Sequence, residues 1–322
     1  MIVKINFRTA ILFLLLISFL EYRCKKENEN EKTVIEVVNP PRAKSGAENY
    51  VSLIRKNTLL ISKVVLDTTF TPYTGIEETQ VNYINSNKEP MAVYFLTVDL
   101  TKSNLSMEVA TPFDMPEFTR QTVRDMITYK NSISSSWQVI GAVNGDNWDV
   151  STPPTIPDGT PLGLVYKNGA MIKELPDKNY YFLALLKDKT AVIGDVLKYQ
   201  SVRNNIKEAL GGRYFLVNNG VNAAGKLGTD VEPRTSVGVL NPQKVVFVVV
   251  DGRRSGYSAG ISMQDLAKLF VAIGAYDAIN MDGGGSTTYI LKNNEGKYQT
   301  INKPSDNSER PVANAWTVMW QQ

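Results

Sequence analysis

The chain has 322 residues, 43% hydrophobic and 21% charged, with a formal net charge of +3. This is ordinary globular composition without a basic block, so no nucleic-acid partner is expected. There is no histidine and one cysteine, which excludes an imidazole base, a Ser-His-Asp triad, a His-containing zinc site and an intrachain disulfide. Catalysis would have to come from Asp, Glu, Lys, Arg, Tyr, Ser, Thr or backbone groups, and any metal would be hard and oxygen-bound.

At the N-terminus, Lys4 and Arg8 precede an apolar run from Ala10 to Leu20. The run has the length of a signal-peptide core and is too short to span a bilayer comfortably. Cys24 follows, then the polar stretch Lys25 to Lys32, which cannot build a core. The arrangement resembles a bacterial lipoprotein signal, although Glu21-Tyr22-Arg23 stands where small residues are usual. It predicts a signal peptide over 1–23, Cys24 as the lipidated N-terminus, a polar tether over 24–45 and a single domain over 46–322. The expected location is the bacterial cell envelope, reached by export and held through the lipid anchor.

Within that domain, "MAVYFLTVDL" (91–100) reads as a strand, and "LSMEVATP" (105–112) is expected to pair with it. In "TRQTVRDMITYK" (119–130), Val123, Met126 and Ile127 have helical spacing, leading into a buried strand at "QVIGAV" (138–143). Asn168-Gly169 between apolar runs signals a hairpin. "VVFVVV" (245–250) reads as a central strand buried on both faces. "ISMQDLAKLFVAIG" (261–274) predicts a helix with Ser262 as cap and Gly274 as stop. "DAIN" (277–280) and "TTYIL" (287–291) read as strands. The sum is an α+β fold: mixed β-sheets, a few flanking helices, and active-site loops at strand ends.

Four strands end in polar, glycine-containing clusters. They deliver Asn144-Gly145-Asp146, Asn218-Asn219, Asp251-Gly252-Arg253-Arg254, and Asn280 with Asp282-Gly283-Gly284-Gly285-Ser286-Thr287; Arg234 opens a fifth strand. Each cluster alone is ordinary turn chemistry, but the recurrence suggests one polar rim. The glycine run suits a backbone nest for an anion, with Ser286 and Thr287 as hydroxyl donors and the arginines as bidentate partners for phosphate. It is not a nucleotide P-loop, because no Gly-Lys-Ser/Thr ending follows.

In this order, "GAVNGDNW" (141–148), "EPRTSVGV" (232–239), the long stretch 248–288 and "ERPVANAW" (309–316) resemble the phosphodiester glycosidase family. Asn147 replaces an expected aromatic and Met281 the usual Leu. The resemblance implies hydrolysis of a sugar linked through its anomeric carbon to phosphate. It points to Asp146, Asp251 and Asp282 as catalytic candidates, and to Asn144, Arg234, Arg253, Gly283, Gly284, Ser286 and Thr287 as substrate or phosphate binders. A phosphorylated surface glycan is the expected partner. No cofactor is required; a Ca²⁺ or Mg²⁺ on the same carboxylates is compatible with the donor set but has no support in the sequence. The rival is a non-catalytic surface lipoprotein that binds phosphorylated polysaccharide, with Trp148 or Tyr289 as sugar platforms.

Overall fold

Six β-branched or aromatic residues in a row at 245–250 suit a strand covered on both faces. The computed structural model describes residues 49–134, 136–150, 157–176 and 179–321. It places this run near the middle of an eight-stranded sheet. The expected signal peptide, Cys24 and tether lie outside the described residues.

In chain order the elements are α1 (Tyr50–Asn57), β1 (Ile61–Tyr73), β2 (Ile76–Asn85), β3 (Pro90–Asp99), β4 (Leu105–Ala110), α2 (Val123–Ile133), β5 (Trp137–Asn144), β6 (Val165–Lys167), β7 (Ala170–Lys173), β8 (Tyr181–Leu186) and β9 (Ala191–Gly194). They continue as α3 (Val196–Val202), β10 (Ile206–Gly212), β11 (Tyr214–Asn218), β12 (Val221–Asn222), β13 (Arg234–Asn241), β14 (Lys244–Val250), α4 (Met263–Ala272), β15 (Asp277–Asn280), β16 (Tyr289–Lys292), β17 (Tyr298–Thr300) and β18 (Ala315–Gln321). Three sheets result, ordered β1-β2-β3-β14-β13-β15-β11-β12, β7-β6-β10-β8-β9 and β17-β16-β5-β18-β4. Neighbouring strands run antiparallel. The α+β class is borne out.

Alternation along β3 and β14 divides the apolar side chains between two cores. Leu96, Val98, Val245 and Phe247 face a core shared with Met107, Ile140 and Val318 of the third sheet and Leu183 and Leu210 of the second. Val93, Phe95, Val246 and Val248 face α1 and α4. Helix α4 forms because Leu266, Leu269 and Phe270 share one face and are buried, each side chain contributing about 1.5–3 kcal/mol. The Ser262 hydroxyl accepts from the Asp265 amide, and Gly274 at φ +82° ends the helix, with Ala275 N donating to Phe270 O. Helix α2 covers the outer face of the third sheet through Val123, Met126 and Ile127. The second sheet has a small core of its own around Tyr166, Phe182 and Tyr199.

The hairpin at Asn168-Gly169 forms as expected, both residues at positive φ. The expected β3–β4 pairing does not. Both edges of β3 are already taken by β2 and β14, and β4 pairs with β18 instead.

Antiparallel register brings the polar clusters together. Arg234 opens β13 opposite Val250 at the end of β14, and Ser236 lies opposite Asn280 at the end of β15. In the third sheet, Asn144 ends β5 opposite Ala315, just after Asn314.

Candidate active site

Asn144 is fully buried and staples three segments. Its Nδ2 donates to Asp282 O at 2.8 Å, and its Oδ1 accepts from Thr235 Oγ1 at 2.6 Å and from Thr288 N at 3.0 Å. The next two residues pass between Asn314 and Asp282. Gly145 N donates to Asn314 O, Asp146 N donates to Asn314 Oδ1, and Gly145 O accepts from Asp282 N. A Cβ at Gly145 would collide with the Asn314 side chain. The Asn144 oxygen, expected to meet substrate, is filled by the protein here, and the side chain positions the loops.

Asp146 is 1% exposed. Its Oδ2 accepts from Gly163 N at 2.6 Å, while its Oδ1 is buried with no partner. Gly163, between β5 and β6, and Gly211 in β10 face each other across this carboxyl. A Cβ on either would stand 2.8 or 2.7 Å from Oδ2. Lys173 donates to the carbonyls of Leu162 and Gly163 at 3.0 and 3.3 Å, bracing the same backbone. Burial pushes the Asp146 carboxyl up to about 7, against the Gly163 hydrogen bond, the Lys173 charge and the Asn147 amide, with repulsion from Asp282 adding to the rise. Asp146 thus carries its proton near neutrality.

Asp282 sits beside it at the surface and is partly exposed. Its Oδ1 accepts from Asn147 Nδ2 and from Gly283 N, both at 2.9 Å, and the Ser286 hydroxyl hydrogen-bonds the carboxylate. Burial lifts it to about 6, opposed by those bonds and by the Arg310 charge. Burial thereby raises both neighbouring carboxyls above the ordinary carboxylate range, and each charge works on the other.

The glycine run does not make the expected anion nest. Gly283 N goes to Asp282 Oδ1, Gly284 N to Pro233 O, Ser286 N to Gly283 O and Thr287 N to Gly284 O. Among the described residues only the Gly285 N–H of this turn lacks a protein acceptor. The glycines are required by close packing. A Cβ on Gly283 would stand 2.7 Å from Pro233 O, Gly284 has φ +61°, and a Cβ on Gly285 would overlap the Arg310 guanidinium and the Asp306 carboxylate.

Cations frame this turn. The Arg253 guanidinium lies against Gly284, and its Nε donates to Glu232. Arg310 lies against Gly285 and pairs with Asp306 at 2.6 Å. Sequence reasoning passed over Arg310 and Asn147, although both stand inside the quoted motifs. Arg234 donates to the carbonyls of Ile261 and Asp230 and, among the described residues, makes no ion pair; burial draws its pKa down.

Asp251 differs from the other two aspartates. It is 1% exposed, Oδ1 accepts from Asn302, and Oδ2 accepts from Tyr257 and Lys303 N. Its oxygens are engaged by the protein from both sides, an arrangement that suits an anchor. Ser286 and Thr287 are buried, the first turned to Asp282, so neither presents a surface hydroxyl. Tyr289, one expected platform of the binding-only rival, is wholly buried, and Trp148, the other, is partly exposed with Arg120 4.6 Å over its ring. Partnerless buried polar atoms collect here: Asp146 Oδ1, Asn147 Oδ1, Asn280 Oδ1, Thr287 Oγ1 and Asn314 Nδ2. Unpaired groups of this kind are costly unless a ligand or water meets them. Among the described residues no three or more Asp, Glu, His or Cys converge as a metal cage.

An antiparallel three-sheet α+β fold with a recessed carboxyl pair under an arginine-lined turn defines the class. Solved structures share the fold, among them the following two. The chain superposes on a hypothetical protein from Synechocystis with TM-score 0.55 at 13% identity, covering 80% of this chain and 64% of that one. It superposes on the zebrafish N-acetylglucosamine-1-phosphodiester alpha-N-acetylglucosaminidase catalytic domain, auto-inhibited by its pro-peptide, with TM-score 0.54 at 18% identity, covering 79% and 87%. Residues 138–319 match the phosphodiester glycosidase family model; the chain belongs to that family. A curated relative, the SPbeta prophage-derived uncharacterized protein YomE of Bacillus subtilis, is 24% identical over 316 residues, 92% of this chain and 42% of that protein. The chain therefore spans less than half of that relative's length.

Proposed function

We propose that the chain hydrolyses the glycosidic bond of a sugar-1-phosphodiester, GlcNAc-like at the sugar, in surface or extracellular glycans. The observation that carries this reading is the adjacent pair Asp146 and Asp282, held to about 7 and about 6, beside the Arg253 and Arg310 guanidiniums. The bond from the anomeric carbon to the phosphate oxygen breaks, and the phosphate monoester leaves with the electron pair. Arg253, Arg310 and the Gly285 N–H stabilise its growing charge. A water supplies the new hydroxyl at the anomeric carbon, and ionised Asp282 takes its proton. Asp146 is sealed from substrate and works through its neighbour: while protonated it adds no second negative charge beside Asp282 and the diester.

The profile of kcat/KM against pH should then be bell-shaped, rising as Asp282 ionises near 6 and falling as Asp146 ionises near 7. These limbs belong to the coupled pair. The test is release of reducing sugar from GlcNAc-1-phosphodiesters of several alcohols. No release from any of them defeats the reading. The N-terminal pattern supports action outside the cell, anchored through Cys24. Mass spectrometry of membrane-extracted protein checks this, and an intact Met1 refutes it.

A further inference from the structure

Next to the glycine turn lies a cleft of about 440 Å³, within the size range of small-ligand sites. Its wall is Arg254 with residues of the segment Thr300 to Glu309, Pro304 being the one apolar side chain among those that line it. Asn302 in this wall donates to Thr287 O at the end of the glycine turn. Arg310, at the reaction site, directly follows Glu309 of the cleft. One segment therefore joins the reaction site to the cleft, and a ligand longer than one sugar and one phosphate would reach from one to the other.

The charge in the cleft is positive. Glu309 is neutralised from behind by Arg124 at 2.8 Å. Lys303 is exposed, lies 4.2 Å over the Tyr257 ring and, among the described residues, makes no ion pair with a carboxylate. Arg254 is held by Pro304 O and Asn307 Oδ1 through one nitrogen, while its Nε is buried without a partner. Beyond that ring contact, no described carboxylate or carbonyl uses the Lys303 charge.

Resting on the diester-hydrolase reading, we propose that this cleft binds the phosphate of the neighbouring repeat, so that the preferred substrate is a poly(sugar phosphate) chain. Lys303 and Arg254 contact that second phosphate, and Asn307 and Ser308 meet the hydroxyls of the intervening sugar.

The experiment compares synthetic GlcNAc-phosphate oligomers carrying two phosphodiesters with oligomers of equal length carrying one, on the full chain at low and moderate salt. Wild type should prefer the doubly charged oligomer in kcat/KM by roughly fivefold, the scale of an exposed charge contact, with the preference shrinking as salt rises. Lys303→Glu should abolish the preference and Lys303→Arg should retain it. Because the Lys303 amide, not its side chain, bonds Asp251, these variants should fold. Equal rates for the two oligomers in wild type, or a preference untouched in Lys303→Glu, overturns the proposal while leaving diester hydrolysis standing. If no oligomer is cleaved, the hydrolase reading fails by itself. Calorimetric binding of the two oligomers to wild type and Lys303→Glu then decides the cleft: selective binding lost in the variant supports it, and equal binding refutes it.

Discussion

Two Asp-Gly pairs follow strands β14 and β15 of the same sheet, on either side of β13, and they have opposite fates. At Asp251-Gly252 the carboxylate is enclosed by Asn302, Tyr257 and Lys303 N. At Asp282-Gly283 the carboxylate accepts from Asn147, Gly283 N and Ser286 and is partly exposed beside Asp146 and Arg310. The dipeptide is identical, so residue identity does not distinguish anchor from reacting group. The distinction is whether the fold leaves the group within reach. A carboxylate buried under its donors has little to offer a substrate, whereas one oriented by its donors yet partly exposed stays open to it.

Substituting each aspartate by asparagine should separate the two regions. Asp282→Asn removes the anion and little volume. Its kcat on a GlcNAc-1-phosphodiester should fall by at least about a hundredfold, the range for acid–base groups, with the melting temperature near wild type. Full activity in this variant would move the chemistry off Asp282.

Asp251→Asn should fail the other way. An amide offers one acceptor and one donor where three donors converge, leaving at least one buried group unpaired at about 1–3 kcal/mol. The melting temperature should drop by several degrees, and kcat per folded molecule should fall far less than in Asp282→Asn. A catalytic collapse without loss of stability would reverse the two assignments.

The anchor's identity was not legible in the chain, and the reason is physical. Strands with strong patterning were readable: 245–250 buried on both faces, α4 from its cap and stop, the Asn168-Gly169 turn. The long edge hairpin β1–β2 was not, because β1 mixes Thr, Lys and Asp on a largely exposed strand. The clustering of NGD, PRT and DGGGST followed from recurring strand-end chemistry. Gly163 and Gly211 did not, since they lie 48 positions apart in the sequence and are defined only by the carboxyl between them. Arg310 was hidden because a lone arginine before Pro311 has no local pattern; only its contact with Gly285 identifies it.

A third comparison sets sealed Asp146 against open Asp282 by pH. A carboxyl whose folded pKa is about 7 against about 3.9 unfolded remains protonated in the folded state after the unfolded chain has lost its proton. Its contribution to stability is complete below the unfolded pKa and is lost as pH rises towards 7. Asp146→Asn removes that titration. Between pH 5 and 8 the melting temperature of the variant should decline less than that of wild type, the remaining slope coming from Asp282 and Glu208, which are raised to about 6 and about 7. Parallel declines in the two proteins would mean that Asp146 is not held protonated.

The smallest expected effect tests the influence of Lys173 on the sealed carboxyl. Lys173 touches no reacting group in the proposed mechanism; it braces Leu162 O and Gly163 O. Its charge pulls the Asp146 carboxyl down while burial, the larger influence, pushes it up. Lys173→Met keeps the apolar stem and deletes the charge, so Asp146 should hold its proton to higher pH. The alkaline midpoint of kcat/KM should rise by a few tenths of a pH unit, about 0.5 kcal/mol or less, and Lys173→Arg should keep the wild-type midpoint. A purely bracing lysine would lower the melting temperature in Lys173→Met and leave the midpoint fixed. A downward shift would contradict the electrostatic assignment outright, because removing a cation cannot by itself make a neighbouring carboxyl more acidic.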